Sequence, residues 1–450
     1  MSRKNVNNPR RARWLRWLVR GAVLAAAVAA LLPPAAGTRA AVVVPALSPL
    51  VAIAAAVAAR TFQATALLGL LVAATALVRP RAFCRWVCPA GTCAEGVSRL
   101  GLILRGLLRP VFSLVGYNGS RHAPLAVRRC SHDSYVRADG TRSVPATFLA
   151  AILPLPPLPA LGTWIAIVTL GGACLGYPLL AWLDPLAMFS GMAGLAQPAS
   201  ASALAYAMLF PLVLLLSLLV PGVWCVRLCP LGAVQEMLAI LGRGVRSWAG
   251  PRRTSGLPGP ARGLARRVVL GGVVGGLWAA GARTVRGAAV RALRPPGARD
   301  EASFVGMCVR CGNCVRACPS QVLAPDPGQY GLASLLTPVV RFRQDYCRER
   351  CTRCMDVCPS GALVRWPPAD KPSLRIGLPQ VDMKVCLLAD DRDCAICRNN
   401  CPYEAIAMVF SEINYTLEPR IDPQKCPGCG ACEAACPTEP VKAIVVRPLE

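Results

Sequence analysis

Histidine is nearly missing from this chain: only His122 and His132 occur in 450 residues, and neither lies in a long apolar run. Paired histidines holding a haem b inside a membrane are therefore excluded. No Cys-x-x-Cys-His occurs, so no c-type haem is attached. No Gly-rich dinucleotide fingerprint follows a strand-like pattern; Gly271-Gly272 and Gly275-Gly276 sit in an apolar stretch and read as helix packing. Acidic side chains are scarce before residue 300, since 18 of the 23 lie at or after Asp300. The net charge of +27 thus belongs to the first part of the chain. There it accompanies long Ala/Leu/Val runs, which argues for the positive-inside bias of membrane loops and against a nucleic-acid footprint. With no haem, flavin or nicotinamide site, redox chemistry falls to the 23 cysteines.

Sixteen of those cysteines lie in the last 150 residues, in four groups that each end in Cys-Pro. They are Cys308-Cys311-Cys314-Cys318, Cys347-Cys351-Cys354-Cys358, Cys386-Cys394-Cys397-Cys401 and Cys426-Cys429-Cys432-Cys436. The outer two groups have the spacing C-x2-C-x2-C-x3-C-P, the run that ligates 4Fe-4S clusters in bacterial ferredoxins. Three thiolates wrap one corner of the cubane and the fourth ligates a neighbouring cluster. Zinc prefers two C-x2-C pairs with a longer spacer, and a disulfide scaffold would not repeat C-x3-C-P four times. Residues 301–450 therefore read as an α+β ferredoxin-like domain holding four 4Fe-4S clusters. Pairing groups of equal irregularity joins the first with the fourth and the second with the third. The sets would then be Cys308/Cys311/Cys314/Cys436, Cys426/Cys429/Cys432/Cys318, Cys347/Cys351/Cys354/Cys401 and Cys386/Cys394/Cys397/Cys358. Sequential pairing, first with second, is the alternative.

The mean hydropathy of +0.45 comes mostly from the first 280 residues. Four spans are expected, about Trp17–Pro34, Thr61–Val78, Leu161–Leu180 and Ala203–Val220, each near the length a bilayer needs. The tail at 1–16 is basic, the stretch from Arg79 to Arg142 is rich in Arg, and the segment between Leu180 and Ala203 has no Lys or Arg. This puts the N-terminus, the 79–145 loop and the stretch after Cys225 in the cytoplasm. Val42–Ala59, interrupted by Pro45 and Pro49, reads as a short helix at the outer surface.

An internal repeat supports four spans within 17–248. Ser48-Pro49-Leu50 precedes a span ending in Cys84-x3-Cys88-Pro89-x-Gly91-x3-Glu95, and Asp184-Pro185-Leu186 precedes one ending in Cys225-x3-Cys229-Pro230-x-Gly232-x3-Glu236. The fold expected is an α-helical membrane bundle of duplicated two-span units. Cys84, Cys88, Cys225 and Cys229 would hold a fifth 4Fe-4S cluster between the units. A pair of redox dithiols, or two clusters that recruit other ligands, are the competing readings. Cys93 reads as an apolar filler, since Val234 takes its place in the second unit. Cys174 reads as buried packing. Cys130 with His122 and His132 lacks a fourth metal ligand. Glu95 and Glu236 suit the first turn of a helix or a proton-accepting role beside a quinone; Asp184, near the outer surface, is a weaker candidate for the latter.

Residues 249–300 join the halves. Arg266-Arg267 followed by an apolar stretch, 265–281, resembles a twin-arginine export signal and reads as a fifth span with the cluster domain outside.

The membrane half resembles the NapH type of ferredoxin-like membrane proteins through its two C-x3-C-P motifs. The remainder resembles the NapG/MauM ferredoxin-type family, through the Arg-Arg leader, Arg294-Pro295-Pro296-Gly297-Ala298, Cys308-Val309-Arg310-Cys311-Gly312 and the order of the four groups. That resemblance implies passage of electrons from membrane quinol toward periplasmic reductases or dehydrogenases of nitrate or methylamine metabolism. NapH-type proteins usually carry their own C-terminal ferredoxin groups on the cytoplasmic side; here a NapG-like module takes that place. The expectation is a multi-pass protein of the bacterial cytoplasmic membrane. It would relay electrons from quinol or another donor to a redox enzyme or small carrier, with the cluster domain on the periplasmic face. The cysteines act as ligands, and no residue reads as a catalytic acid, base or nucleophile. An electron-donating maturation factor for a metalloenzyme, or a thiol–disulfide relay at the C-x3-C pairs, are the alternatives.

Overall fold

The computed structural model describes residues 9–32, 38–114, 160–196, 207–249, 259–286, 291–390, 392–412 and 415–449. His122, Cys130 and His132 lie outside them.

The first part is helical. Pro9–Leu31 leads into Ala40–Ala46 and Pro49–Ala59, then Ala66–Val78, Ala82–Trp86 and Pro89–Leu114. The second unit runs through Leu161–Cys174, a 3-10 turn at Leu179–Leu183, Pro185–Met192, Leu209–Leu219, a π turn at Trp224–Leu228 and Pro230–Ala249. The two units exchange partners: Leu209–Leu219 packs on Pro89–Leu114, and Pro230–Ala249 packs on Ala66–Val78. Glycines permit this close crossing at matching places. A Cβ at Gly101 would stand 2.5 Å from the Leu218 carbonyl oxygen, and one at Gly242 would stand 2.1 Å from that of Leu77. The starts of the two units also meet. Ser48 caps Pro49–Ala59 and Asp184 caps Pro185–Met192, and the Ser48 hydroxyl donates to Asp184 Oδ2 at 2.5 Å. Asp184 also accepts from the amides of Leu186 and Ala187. It is fully buried, because its carboxylate is absorbed in this double cap.

The expected spans are only partly realised. Trp14–Leu31 is long and apolar enough to cross a membrane on its own, the single such helix among the described residues. Ala66–Val78, Leu161–Cys174 and Leu209–Leu219 have 13, 14 and 11 residues, short of the ~20 that a bilayer core requires. The third expected span ends early because Gly176 takes a left-handed φ of 78° and Pro178 follows. Val42–Ala59 is two helices, Ala40–Ala46 and Pro49–Ala59, meeting at 93°. Extended Ser48 forms the corner and Pro49 opens the second helix. Cys174, expected to be buried, is exposed: Gly172 and Ala173 face the neighbours at that last turn instead.

Gly259–Arg286 is one helix laid along Leu161–Cys174. Their glycines interlock, Gly272 against Gly171 and Gly275 against the Val168 carbonyl. Gly271 lies against Ile167 and Gly276 against Leu175, so the two helices run parallel.

The remainder has little regular structure. Its helices are Glu301–Met307, Asn313–Ala317, Arg353–Asp356, Ile396–Asn399 and Ala431–Ala435. Its strands make three two-stranded antiparallel sheets. These are β1 (Leu323–Pro325) with β2 (Pro338–Val340), β3 (Leu378–Val381) with β6 (Ile444–Arg447), and β4 (Ile406–Ser411) with β5 (Thr416–Ile421). Arg294 ties the incoming chain to this module, with Nε and one NH2 on Glu301 and NH1 on Thr337 Oγ1 and the Pro338 carbonyl.

Candidate iron–sulfur centres

The same local rule places the last cysteine of a motif wherever Cys-Pro occurs. Proline disfavours helical backbone in the residue before it. Cys229, Cys318 and Cys436 accordingly have ψ of 113°, 113° and 126°. In the helical part these cysteines stand at the mouth of a helix. The Gly91 amide donates to Cys88 Sγ at 3.2 Å and the Gly232 amide to Cys229 Sγ at 3.4 Å. The C-P-x-G spacing thus aims helix-start amides at a sulfur, where partial positive charge favours a thiolate.

Cys84, Cys88, Cys225 and Cys229 converge, as the repeat predicts. Each lies close enough to others of the set to feel their charge. Around them pack Phe83, Leu186, Phe189, Phe210 and Leu231. Gln235 Nε2 donates to Cys84 Sγ at 3.1 Å. Both motif glutamates are engaged in ion pairs. Glu95 meets Arg20 at 2.5 Å and Arg99 at 2.7 Å, while Glu236 meets Arg81 at 2.9 Å. Arg20 is itself buried and also donates to Thr92 and the Gly91 carbonyl. Arg81 reaches the Cys225 carbonyl at 3.2 Å. Cys93 is half-buried beside this core and outside the set of four.

In the module the cysteines pair sequentially, which overturns the expected joining of first with fourth and second with third. Cys308, Cys311, Cys314 and Cys358 line one cavity, and Cys318, Cys347, Cys351 and Cys354 line the next. Cys401 stands with Cys426, Cys429 and Cys432, and Cys436 with Cys386, Cys394 and Cys397. The reason is the hairpins. The chain leaves Cys318, turns back through β1 and β2, and arrives at Cys347. It leaves Cys401, turns back through β4 and β5, and arrives at Cys426. Each hairpin closes a short loop, at less entropic cost than joining distant groups. Spacing within the groups carries no such information.

Left-handed Gly312 and Gly430, at φ of 69° and 82°, turn the chain between the second and third cysteines of their groups. Any side chain at Gly430 would strike the Phe342 ring at 2.2 Å. The Cys347 amide donates to the Cys429 carbonyl at 2.9 Å, linking the second site to the third.

Burial is the largest influence on the acidity of Cys308, Cys311 and Cys314. It pushes Cys311 up to about 12 and raises Cys308 and Cys314, whose neighbours in the set add to it. Burial also raises Cys436, but the Thr438 hydroxyl and amides of Thr438, Ala443 and Ile444 outweigh it and leave the thiol below its ordinary value. Iron would displace protons from most of these sulfurs on binding. Among the described residues, no three His, Cys, Asp or Glu side chains close on a single-ion position. Tetrahedral zinc, at about 2.3 Å per sulfur, needs thiolates nearly touching. Four sulfurs around an open centre fit the corners of a polynuclear cluster instead.

Residues 178–196 and 40–61 receive the module. Arg316 donates to the Ser190 carbonyl at 2.6 Å and to Asn313 Oδ1 at 2.5 Å, and Asn313 Nδ2 reaches the Ala41 carbonyl at 3.0 Å. Arg310 lies over the Trp182 ring, 5.0 Å from its centre. Val309 and Cys311 pack with Val51, Ala181 and Ala187. Nothing in the motifs signalled Arg316, Asn313, Gln235 or Arg20; each acts through contacts far along the chain.

Comparison with known proteins agrees with both cysteine arrangements. Residues 307–362 and 392–439 match the family described as "4Fe-4S dicluster domain", and residues 61–109 and 202–248 match "4Fe-4S binding domain". The ferredoxin-type protein NapG of Escherichia coli K12 is 39% identical over 191 residues, covering 39% of this chain and 80% of that protein. The methylamine utilization ferredoxin-type protein MauM of Methylorubrum extorquens is 38% identical over 164 residues, 33% of this chain and 70% of the relative. The ferredoxin-type protein NapF of Escherichia coli K12 is 31% identical over 153 residues, 34% of this chain and 84% of the relative. No solved structure matches. With sixteen cysteines arranged in two double sites and relatives covered over most of their length, the chain belongs to the NapG/MauM family of ferredoxin-type 4Fe-4S electron-transfer proteins.

Proposed function

We propose that this chain is a membrane-embedded relay that takes electrons at the Cys84/Cys88/Cys225/Cys229 site and conducts them through the four module sites to a redox protein on the periplasmic side. The sixteen module cysteines and the four bundle cysteines are the iron ligands. A 4Fe-4S cluster, where bound, accepts and returns one electron at a time. The protein's part is to hold the sulfurs, exclude water and set the order of sites.

The observation that carries this reading is the Pro185–Met192 helix. Leu186 and Phe189 pack in the core with Cys88 and Cys229, while Ala187 packs with Cys311 and Ser190 holds Arg316 and Asn313. Pro185–Met192 thus touches both the core that holds the bundle cysteines and the face that receives the first module site.

The membrane setting rests on surface chemistry. Leu71 on Ala66–Val78 is 64% exposed, Leu212 on Leu209–Leu219 63%, and Leu277 on Gly259–Arg286 69%. Such apolar faces are costly in water and favourable in lipid. Short helices are tolerated in a bilayer where bent caps, like those at Ser48 and Asp184, fill the remaining depth and satisfy their own backbone. The helix Leu161–Cys174 supports the proposed orientation. At its start a Cβ on Gly162 would stand 2.7 Å from the Cys229 carbonyl oxygen; past its end Tyr177 packs on Gly306 of the module. Motif and module are at opposite ends. The Arg-rich 79–145 stretch favours the cytoplasm for the motif end, hence the periplasm for the module. Family resemblance points to quinol as donor.

Anaerobic reduction of the detergent-purified chain by a menaquinol analogue, followed by electron paramagnetic resonance, tests this. Reduced, interacting 4Fe-4S signals in the wild type, and none from the module in C84S/C225S, are expected. Clusters that stay oxidised with quinol yet accept electrons from dithionite would rule out the quinol donor. Unchanged module reduction in C84S/C225S would rule out entry at the bundle site.

A further inference from the structure

Lys371 is 4% exposed, an unusual place for an ammonium. Its Nζ donates to Cys347 Sγ at 3.2 Å and to the Arg348 carbonyl. No carboxylate pairs with it among the described residues. A buried cation is strongly unfavourable without a compensating negative group. Here the group offered is a sulfur of the second module site.

The other recorded donors to module sulfurs are neutral. The Leu363 amide donates to Cys358, the Ala405 amide to Cys401, and the Thr438 hydroxyl lies 3.2 Å from Cys436. Lys371 alone among the described residues brings a full charge into hydrogen-bond distance of a module sulfur. Reduction adds one negative charge to a cluster, and a cation on a ligand sulfur stabilises that charge.

We propose that Lys371 raises the reduction potential of the Cys318/Cys347/Cys351/Cys354 cluster and makes it the electron-holding centre of the module, between the docked first site and the distal pair. This rests on the cluster assignment above, and the two fail separately. Iron and sulfide analysis of the full-length wild type comes first, and absence of clusters there would overturn the assignment itself. Redox titration followed by electron paramagnetic resonance then compares the wild type with K371R, K371Q and K371M. In K371M, one cluster should become harder to reduce by roughly tenfold in its oxidised-to-reduced ratio at fixed potential, about 59 mV for a one-electron couple. K371R should stay near the wild type, K371Q should fall between, and the remaining clusters should keep their potentials. Should K371M lose iron, K371Q carries the comparison. Wild-type potentials in iron-replete K371M or K371Q, or an equal shift in K371R, would overturn the proposal.

Discussion

The bundle site and the module sites hold the same kind of ligand in opposite ways. Cys88 and Cys229 stand at the starts of helices Pro89–Leu114 and Pro230–Ala249, of 26 and 20 residues, inside an apolar core. The module's cysteines sit on turns and on helices of four or five residues. Isolated helices that short, and two-stranded sheets, do not hold in water by themselves. The bundle therefore has a scaffold that exists before its site is filled. The module's order depends on filling.

The largest test of that contrast is iron removal. Anaerobic chelation should make residues 301–449 broadly susceptible to protease and collapse their hydrogen-exchange protection, while the bundle helices keep theirs. Equal protection of the module with and without iron would end the comparison.

Next come the crossings that build the bundle. G242V should lower stability by about 1–3 kcal/mol or more, because its Cβ cannot coexist with the Leu77 carbonyl. G101V, at the matching place in the other unit, should act alike. Thermal unfolding in detergent reads both, and a large effect at only one glycine would show the units to be unequal.

The joint between the two regions is the third test. R316A leaves the Ser190 carbonyl and Asn313 Oδ1 short of a buried donor, at a cost of about 2–3 kcal/mol. Amide protection of Ala40–Ala46 and Pro185–Met192 should fall, with module iron content unchanged. Loss of module iron instead would mean that Arg316 belongs to the module's own fold.

The smallest effect sharpens the role of Glu95. R99A removes a half-exposed ion pair, worth about 0.5 kcal/mol or less. R20M removes a buried partner of the same carboxylate and should cost several-fold more. Similar losses would indicate that the buried pair contributes little.

Several parts of this molecule were legible from residues alone. The repeat around Cys84 and Cys225 correctly announced that four cysteines would meet, and Pro45 and Pro49 marked the broken cap. Length was misjudged at Leu161–Leu180, since the left-handed turn at Gly176 competes with an unbroken apolar run. Cys174 was misplaced because the helix turns its glycine and alanine toward the neighbours. Pairing among the four groups was misjudged because the deciding feature is a pair of hairpins, β1–β2 and β4–β5, whose strands are too short to announce themselves.

What the amino-acid order determined by itself is the chemistry and its neighbourhood: which atoms can bind iron, the asymmetry of charge, the duplicated unit and the apolar runs. Each is a local property, set by residue type and by spacing over a few positions. Tertiary structure alone decided which cysteines share a site, that the caps Ser48 and Asp184 of the two units bond to each other, that Pro185–Met192 stands between bundle and module, and that Lys371 meets Cys347. Those relations join residues far apart in the chain, and only the packing that brings them together can choose among the partners their chemistry allows.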